Sequence, residues 1–195
     1  MRFVVFIVFA ICLNVWTGVS HAAELKIGQK APRFELPTIF DDSVYASKDI
    51  FPQNELTVLI LWTSYCPDCW KALKNCRDLA TKVKEMDVNV IGINFDTEKL
   101  ATVRSFIKGE KIDFVNLSDF QAKVARAYKA ESFDFSTFIV DKLGTLQYIS
   151  YDHPPDVDKV ILKKVKGILG NEDKDKSKNK SKESKESKEN RDKKV

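Results

Sequence analysis

A short, nearly continuous apolar run that leads into a pair of cysteines constrains the fold of this chain more than any other feature. The run, Leu56–Trp62 (LTVLILW), predicts a strand buried on both faces. Pro67 follows it and suits the first position of a helix, where its missing N–H and its fixed φ carry no cost. The sequence therefore predicts a buried strand that passes through a short loop into a helix, with Cys66 at or next to the N-cap.

The cysteines at this junction, Cys66 and Cys69, are separated by two residues. A helix N-terminus offers unpaired backbone N–H groups and the positive end of the helix dipole. Both favour the thiolate, which is the reactive form of cysteine. Cys69 lies one turn later and can reach the same sulfur to close a disulfide. The pattern therefore indicates thiol–disulfide exchange.

The same CxxC pattern is also half of a structural zinc site, which needs two further ligands at a suitable spacing. The remaining cysteines and histidines show no paired spacing: Cys12, His21, Cys76 and His153. We therefore predict neither a metal site nor a cofactor. An inert structural disulfide remains the alternative.

The N-terminal residues 1–23 resemble a secretory signal. Arg2 supplies the positive charge, Phe3–Leu13 is an unbroken apolar run, and Ser20–Ala23 offers small residues for cleavage. The prediction is export to the periplasm or another extracytoplasmic compartment, where a CxxC pair can cycle or persist as a disulfide. An uncleaved N-terminal membrane anchor is the alternative, although the apolar run is short for a membrane span.

The C-terminal residues 171–195 form a charged tail rich in Lys, Glu and Ser. Val195 is the only aliphatic residue there, so the tail cannot bury enough apolar surface to offset its ordering entropy and is predicted to be disordered. It carries ten basic and seven acidic residues, and Arg2 accounts for the rest of the net charge of +4. Because the segment 24–170 is then neutral, we predict no nucleic-acid partner. A weak tether to an anionic surface is the alternative role for the tail.

Residues 24–170 read as one domain in which strands and helices alternate. This order predicts an α/β fold with a mixed central sheet and helices on both faces. A turn signal at Asp141–Gly144 joins the last two strands as a hairpin. The predicted strands are Leu56–Trp62, Val88–Phe95, Phe114–Leu117, Ser136–Val140 and Thr145–Tyr151, and the predicted helices are Pro67–Glu85, Thr97–Lys108, Phe120–Tyr128 and Asp156–Leu169.

The segment Leu25–Leu169 resembles the thioredoxin superfamily, and within it the exported TlpA/ResA-like branch of redoxins. Ile27–Pro37 resembles the opening of that branch, which leads into an added N-terminal hairpin. Leu61–Cys69 resembles the active-site segment Phe-Trp-Ala-x-Trp-Cys-Pro-x-Cys, and Val90–Asn94 and Phe138–Asp141 match later strands. The resemblance implies a thioredoxin-like fold.

The resemblance also implies an activity, which is disulfide exchange with protein substrates. Cys66 would attack or be attacked, and Cys69 would resolve the mixed disulfide. Partners would be protein thiols and disulfides, such as apocytochromes c during cytochrome c maturation, with a membrane thiol carrier as the electron donor. Residues expected to contact the substrate are Trp62, Tyr65, Pro67 and Phe135.

Several helper residues of the branch are replaced here. Its cis-proline corresponds to Phe135, and because a cis bond before a non-proline residue costs about 3 kcal/mol we expect a trans bond. We expect the ring to cover part of the apolar surface beside Cys66 and to slow exchange with general substrates. The acidic residue and the proline after the second cysteine are Ala72 and Lys74, and the buried aspartate of thioredoxin corresponds to Ile60.

Two other functions fit the same fold. A peroxiredoxin-like peroxidase is favoured by Thr63, three residues before Cys66, but Phe135 stands where that class has its arginine and Leu59 where it has a proline. A non-catalytic binding module would keep the fold and use Cys66–Cys69 as a structural disulfide. A copper-delivery protein is disfavoured because it uses a CxxxC pair.

Cys76 lies on the apolar stripe of the helix and is predicted to be a buried core thiol.

Overall fold

The computed structural model describes residues 24–41, 43–96, 100–152 and 154–170. The predicted signal peptide (1–23), the charged tail (171–195) and His153 lie outside these ranges, so what was predicted of them stays a prediction, as do the domain boundaries. The described residues form an α/β fold in which helices flank a mixed five-stranded sheet. The predicted fold class is confirmed.

The central sheet has the strand order β5-β4-β3-β6-β7, and β1 and β2 form the separate N-terminal hairpin. Numbered along the chain, the strands are β1 (Glu35–Pro37), β2 (Val44–Ala46), β3 (Leu56–Trp62), β4 (Val88–Asn94), β5 (Val115–Ser118), β6 (Phe135–Asp141) and β7 (Leu146–Ser150). Strands β3, β4 and β5 are parallel, whereas β6 is antiparallel to β3 and β7 is antiparallel to β6. The ends of β3, β4 and β5 and the start of β6 therefore meet at one edge of the sheet, which we call the dithiol edge.

The helices are α1 (Ser47–Ile50), α2 (Pro67–Val83), α3 (Leu100–Gly109), α4 (Lys123–Ala127) and α5 (157–170), with 3-10 turns at Phe51–Gln53 and Lys84–Met86. Within the described ranges, none of these helices combines the length and apolar character that a membrane span requires.

Helix α4 begins later than the sequence pattern predicts, at Lys123 instead of Phe120. The carboxylate of Asp119 accepts hydrogen bonds from the N–H groups of Lys123 (2.9 Å) and Ala125 (2.8 Å), and Ala122 adopts a left-handed conformation with a φ of 49°. A left-handed residue interrupts a right-handed helix. The side-chain cap thus sets the first turn three residues further along.

The core lies on both faces of the sheet. Val58, Ile60 and Trp62 of β3 join the cluster under α2 and α5, whereas Leu59 and Leu61 join the cluster under the hairpin and α4. Side chains alternate between the two faces of a strand, so a strand buried on both faces needs apolar residues throughout. Burial of each such side chain contributes about 1.5–3 kcal/mol. The strand that leads into the cysteine loop is therefore buried along its whole length.

Candidate active site

The two cysteines lie at the N-terminus of α2 and form a disulfide. Cys66 is the N-cap residue and Pro67 the first helical residue, as predicted. The Cα atoms of Cys66 and Cys69 are 5.2 Å apart, within the usual range for a disulfide. The N–H of Cys69 donates to Cys66 Sγ at 3.1 Å, so the first turn of the helix places a donor directly on this sulfur.

The two sulfurs differ in accessibility. Cys66 is partly exposed, whereas Cys69 is fully buried in the cluster under α2. A partner can therefore reach Cys66 but not Cys69. Two charged side chains on the first turns of α2, Asp68 and Lys71, are exposed beside this site.

The loop between β3 and α2 is held by hydrogen bonds at Ser64. Its N–H donates to both carboxylate oxygens of Asp96, at 2.9 and 3.1 Å, and its carbonyl accepts from the indole N–H of Trp70 at 3.0 Å. Asp96 follows β4 at the dithiol edge and is buried together with Asn94. No local sequence motif indicates this contact, because 32 residues separate Ser64 from Asp96.

The start of β6 contacts the same loop from the other side. The N–H of Thr63 donates to the carbonyl of Asp134 at 3.0 Å, and its hydroxyl lies 3.4 Å from Asp134 Oδ1. Phe135 pairs with Trp62 across the strands. The described residues contain no cis peptide bond, so the bond that precedes Phe135 is trans.

The side chains of Trp62 and Phe135, two of the residues expected to contact the substrate, are buried in the core. Trp62 is fully buried and Phe135 is 2% exposed, and both belong to the cluster that also contains Cys69. Neither ring is therefore open to a partner, and the expectation that the Phe135 ring covers apolar surface beside Cys66 stays a prediction. Because β6 begins at Phe135 itself, the strand alternation turns the ring into the core.

The exposed aromatic residues near the loop are Tyr65 (50% exposed) and Phe133 (41% exposed). Pro67 is exposed as well. The Phe133 ring stacks on Tyr151 with 4.7 Å between centroids, and Tyr151 Oη donates to the carbonyl of Tyr128 at 3.0 Å. Of the predicted contact residues, Tyr65 and Pro67 are open to a partner. Phe133 is a further exposed aromatic residue, and no sequence pattern indicated it beyond its closeness to Phe135.

The positions that replace the helper residues are apolar or paired elsewhere. Ile60 and Ala72 are buried in the core, and the ammonium of Lys74 pairs with Glu110 at 2.9 Å. Trp62 Nε1 donates to Asn116 Oδ1 at 3.3 Å, and a Cβ atom at Gly92 would collide with that Asn116 side chain. Gly92 thus leaves room for the amide that holds the Trp62 indole.

The third cysteine of the domain, Cys76, is a free thiol with no exposed surface. Burial raises its pKa far above the usual range, and the charge of Asp158 raises it further. The predicted core role of Cys76 is confirmed.

Among the residues that the structure describes, no group of three His, Cys, Asp or Glu side chains could hold a metal ion.

The fold and the cysteine pair define this chain as a thioredoxin-like redoxin. Residues 27–149 match the model of the AhpC/TSA family, which is more than half of the chain. The chain therefore belongs to the AhpC/TSA family.

Similar proteins come from two branches of this fold. The chain is 27% identical over 121 residues to the thiol-disulfide oxidoreductase ResA of Bacillus cereus, covering 62% of this chain and 67% of the relative. The crystal structure of peroxidoxin BcpB from Mycobacterium tuberculosis superposes with a TM-score of 0.64 at 22% identity, covering 74% of this chain and 99% of the other. The crystal structure of a secreted M. tuberculosis disulfide oxidoreductase homologous to E. coli DsbE superposes with a TM-score of 0.57 at 18% identity, covering 69% of this chain and 95% of the other. The two structural matches show the shared fold alone.

Proposed function

We propose that this protein is a thiol–disulfide oxidoreductase that exchanges disulfides with protein partners. The observation that carries the proposal is the unequal accessibility of two bonded cysteines at a helix N-terminus, with Cys66 partly exposed and Cys69 buried. An exchange enzyme needs one sulfur that a partner reaches and a second that only the first sulfur reaches. The likeness to a thiol-disulfide oxidoreductase named ResA supports the same activity.

In the reducing direction, the Cys66 thiolate attacks one sulfur of the partner's disulfide. The partner's S–S bond breaks, a mixed disulfide forms with Cys66, and the released partner sulfur takes up a proton. Cys69 then loses its proton to solvent and attacks Cys66 Sγ, which releases the second partner thiol. Two electrons and two protons pass to the partner, and the protein ends in the oxidised state seen in the structure.

The finer role that we propose follows the TlpA/ResA-like branch. Residues 1–23 direct the chain to the periplasm or a similar compartment, as the sequence pattern predicts. There the protein would reduce apocytochromes c before haem attachment and recover electrons from a membrane thiol carrier.

The test is a redox titration of the purified protein, followed by an insulin-reduction assay with dithiothreitol as the electron source. The proposal requires a reversible two-electron transition, loss of activity in Cys66→Ser, and a mixed disulfide at Cys66 that accumulates in Cys69→Ser. Cys76→Ser is the matched control and should keep full activity, because Cys76 is a buried free thiol that takes no part in the Cys66–Cys69 disulfide. Activity that survives in Cys66→Ser would overturn the proposal. A disulfide that resists reduction in the folded protein would instead favour the non-catalytic binding module.

A thiol peroxidase is the second candidate. Thr63 lies three residues before Cys66, as in peroxiredoxins, and peroxidoxin BcpB shares the fold. Phe135 opposes it, since a buried phenylalanine occupies the position of the arginine that would polarise the peroxide. Consumption of hydrogen peroxide that depends on Cys66 and outpaces disulfide exchange would favour this alternative.

A further inference from the structure

Ser64 lies two residues before Cys66, and both of its backbone polar groups are bound by side chains. Its N–H donates to Asp96 Oδ1 (3.1 Å) and Oδ2 (2.9 Å), and its carbonyl accepts from Trp70 Nε1 (3.0 Å). The Trp70 ring packs against Phe106 of α3 with 4.3 Å between centroids. The donor and the acceptor that hold Ser64 therefore come from packed or buried side chains.

Asp96 is itself fixed in place. It is 5% exposed, and its Oδ2 also accepts from Asn94 Nδ2 at 3.0 Å. The same Asn94 amide donates to the carbonyl of Trp62 at 3.2 Å, and Asn94 Oδ1 accepts from the Asp96 N–H at 3.3 Å. Burial of a carboxylate is costly unless hydrogen bonds compensate for the lost water. The hydrogen bonds that compensate for the burial of Asp96 include those from the loop that leads to Cys66.

A second carboxylate provides an internal comparison. Asp141, 8% exposed, accepts from the N–H groups of Leu143 (2.9 Å) and Thr145 (2.8 Å) and from Gln147 Nε2 (2.8 Å). It ends β6, which is antiparallel to β3, so it lies at the edge of the sheet opposite Cys66. Asp96 and Asp141 thus use the same chemistry on two loops, of which one carries the reactive cysteine.

We propose that Asp96 is a positioning residue for the exchange reaction, acting through Ser64. By fixing Ser64 it keeps Cys66 at the N-cap, where Sγ accepts from the N–H of Cys69 at 3.1 Å. That hydrogen bond and the helix terminus stabilise the thiolate, so a loose loop makes Cys66 a weaker nucleophile. The inference rests on the proposed exchange function.

The experiment separates the hydrogen bonds of Asp96 from its charge. Asp96→Asn keeps an oxygen that can accept from the Ser64 N–H and removes the charge, whereas Asp96→Ala removes both. In the full-length reduced protein, the rate of Cys66 alkylation by iodoacetamide is followed against pH by mass spectrometry. We expect Asp96→Ala to react about 5–10-fold more slowly than Asp96→Asn at pH 7, and its profile to lie at higher pH, because both variants lack the charge but only Asp96→Ala also lacks an acceptor for the Ser64 N–H.

The variants Asp141→Asn and Asp141→Ala are the matched control. Their rates of Cys66 alkylation should differ by less than about twofold, although Asp141→Ala also removes buried hydrogen bonds. Equal rates for Asp96→Ala and Asp96→Asn would overturn the inference. If Asp96→Ala does not fold, Trp70→Phe decides, since it removes the donor to the Ser64 carbonyl and keeps an aromatic ring. Trp70→Phe should slow alkylation, and an unchanged rate would contradict the role of the loop.

A parallel measurement of exchange with hydroxyethyl disulfide separates this inference from the proposed function. If the wild type exchanges and the Asp96 variants match each other, only the inference fails. If the wild type does not exchange with any disulfide, the proposed function fails, whatever the alkylation rates are.

Discussion

Truncation of Phe135 tests the placement of its ring in the core beside the reactive pair. The ring is 2% exposed and shares a cluster with Trp62 and Cys69. Phe-to-Ala changes in a core cost about 3–5 kcal/mol, through the lost transfer free energy and the cavity that remains. For a domain of this size, that loss lowers the melting temperature by about 6–20 °C. Phe135→Ala should therefore consume much of the free energy of unfolding, which is about 5–15 kcal/mol for ordinary domains.

The matched control is Phe138→Ala. Phe138 is fully buried on the same strand, but it faces the opposite side of the sheet, toward Tyr128. We expect a similar loss of stability in urea unfolding followed by tryptophan fluorescence. The two variants should differ in the chemistry of Cys69, because only Phe135→Ala leaves a cavity in its cluster.

The assay is alkylation of the reduced variants under native conditions, with the buried Cys76 as an internal reference for global unfolding. The ratio of Cys69 to Cys76 labelling should rise at least about tenfold in Phe135→Ala, equivalent to local opening easier by about 1.4 kcal/mol. It should remain near the wild-type ratio in Phe138→Ala. A stability loss under about 1 kcal/mol, or equal labelling ratios in the two variants, would refute the placement of the ring.

Four further outcomes are expected. Of the three cysteines that the structure describes, Cys66 is partly exposed whereas Cys69 and Cys76 are buried, so iodoacetamide should label Cys66 first and Cys76 last in the reduced wild type. Mass spectrometry that shows Cys76 ahead of Cys66 would contradict the assigned roles. Burial raises the pKa of Cys76, so the contribution of this thiol to the free energy of unfolding is complete below pH of about 8.5. Above that pH the contribution falls by up to about 1.4 kcal/mol per pH unit, because the unfolded chain loses the proton first. Cys76→Val should flatten this slope in urea titrations between about pH 8.5 and 9.5. N-terminal sequencing of protein from its native host should show a chain that starts after Ala22 or Ala23, and a mature chain that keeps Met1 in the membrane fraction would favour the anchor. Deletion of 171–195 should leave the melting temperature and the insulin-reduction rate unchanged, whereas a loss of several degrees would mean that the tail packs on the domain.

Local patterns predicted the elements that carry the cysteines. The run Leu56–Trp62 has the bounds of β3, and Pro67 begins α2 with Cys66 as its N-cap. These features depend on residues within one strand or one helical turn. The late start of α4 could not be predicted from the apolar pattern, because the Asp119 carboxylate and the left-handed conformation of Ala122 determine where the helix begins.

The contacts that position the cysteine loop could not be predicted in the same way. The bond from Ser64 to Asp96 joins residues 32 apart, and the bond from Thr63 to Asp134 joins residues 71 apart. Such contacts depend on which strands are neighbours and in which register, and a single sequence does not specify either. The burial of the Phe135 ring was missed because the predicted strand began one residue too late, at Ser136. A strand that starts at Phe135 instead of Ser136 places the ring in the core by alternation alone.

In the exchange reaction that we propose, the burial of Cys69 determines the order of events at the cysteine pair. Its side chain lies in an apolar cluster with Ile60 and Phe135, where a thiolate would be poorly solvated. Cys66 lies at the helix terminus and accepts from the Cys69 N–H, so the first negative charge of the reduced pair belongs on Cys66. Cys69 should stay a neutral thiol until a mixed disulfide draws the charge away from Cys66. The apolar replacement at Ile60 removes a nearby proton acceptor, and release of the partner is therefore the step that we expect to limit exchange.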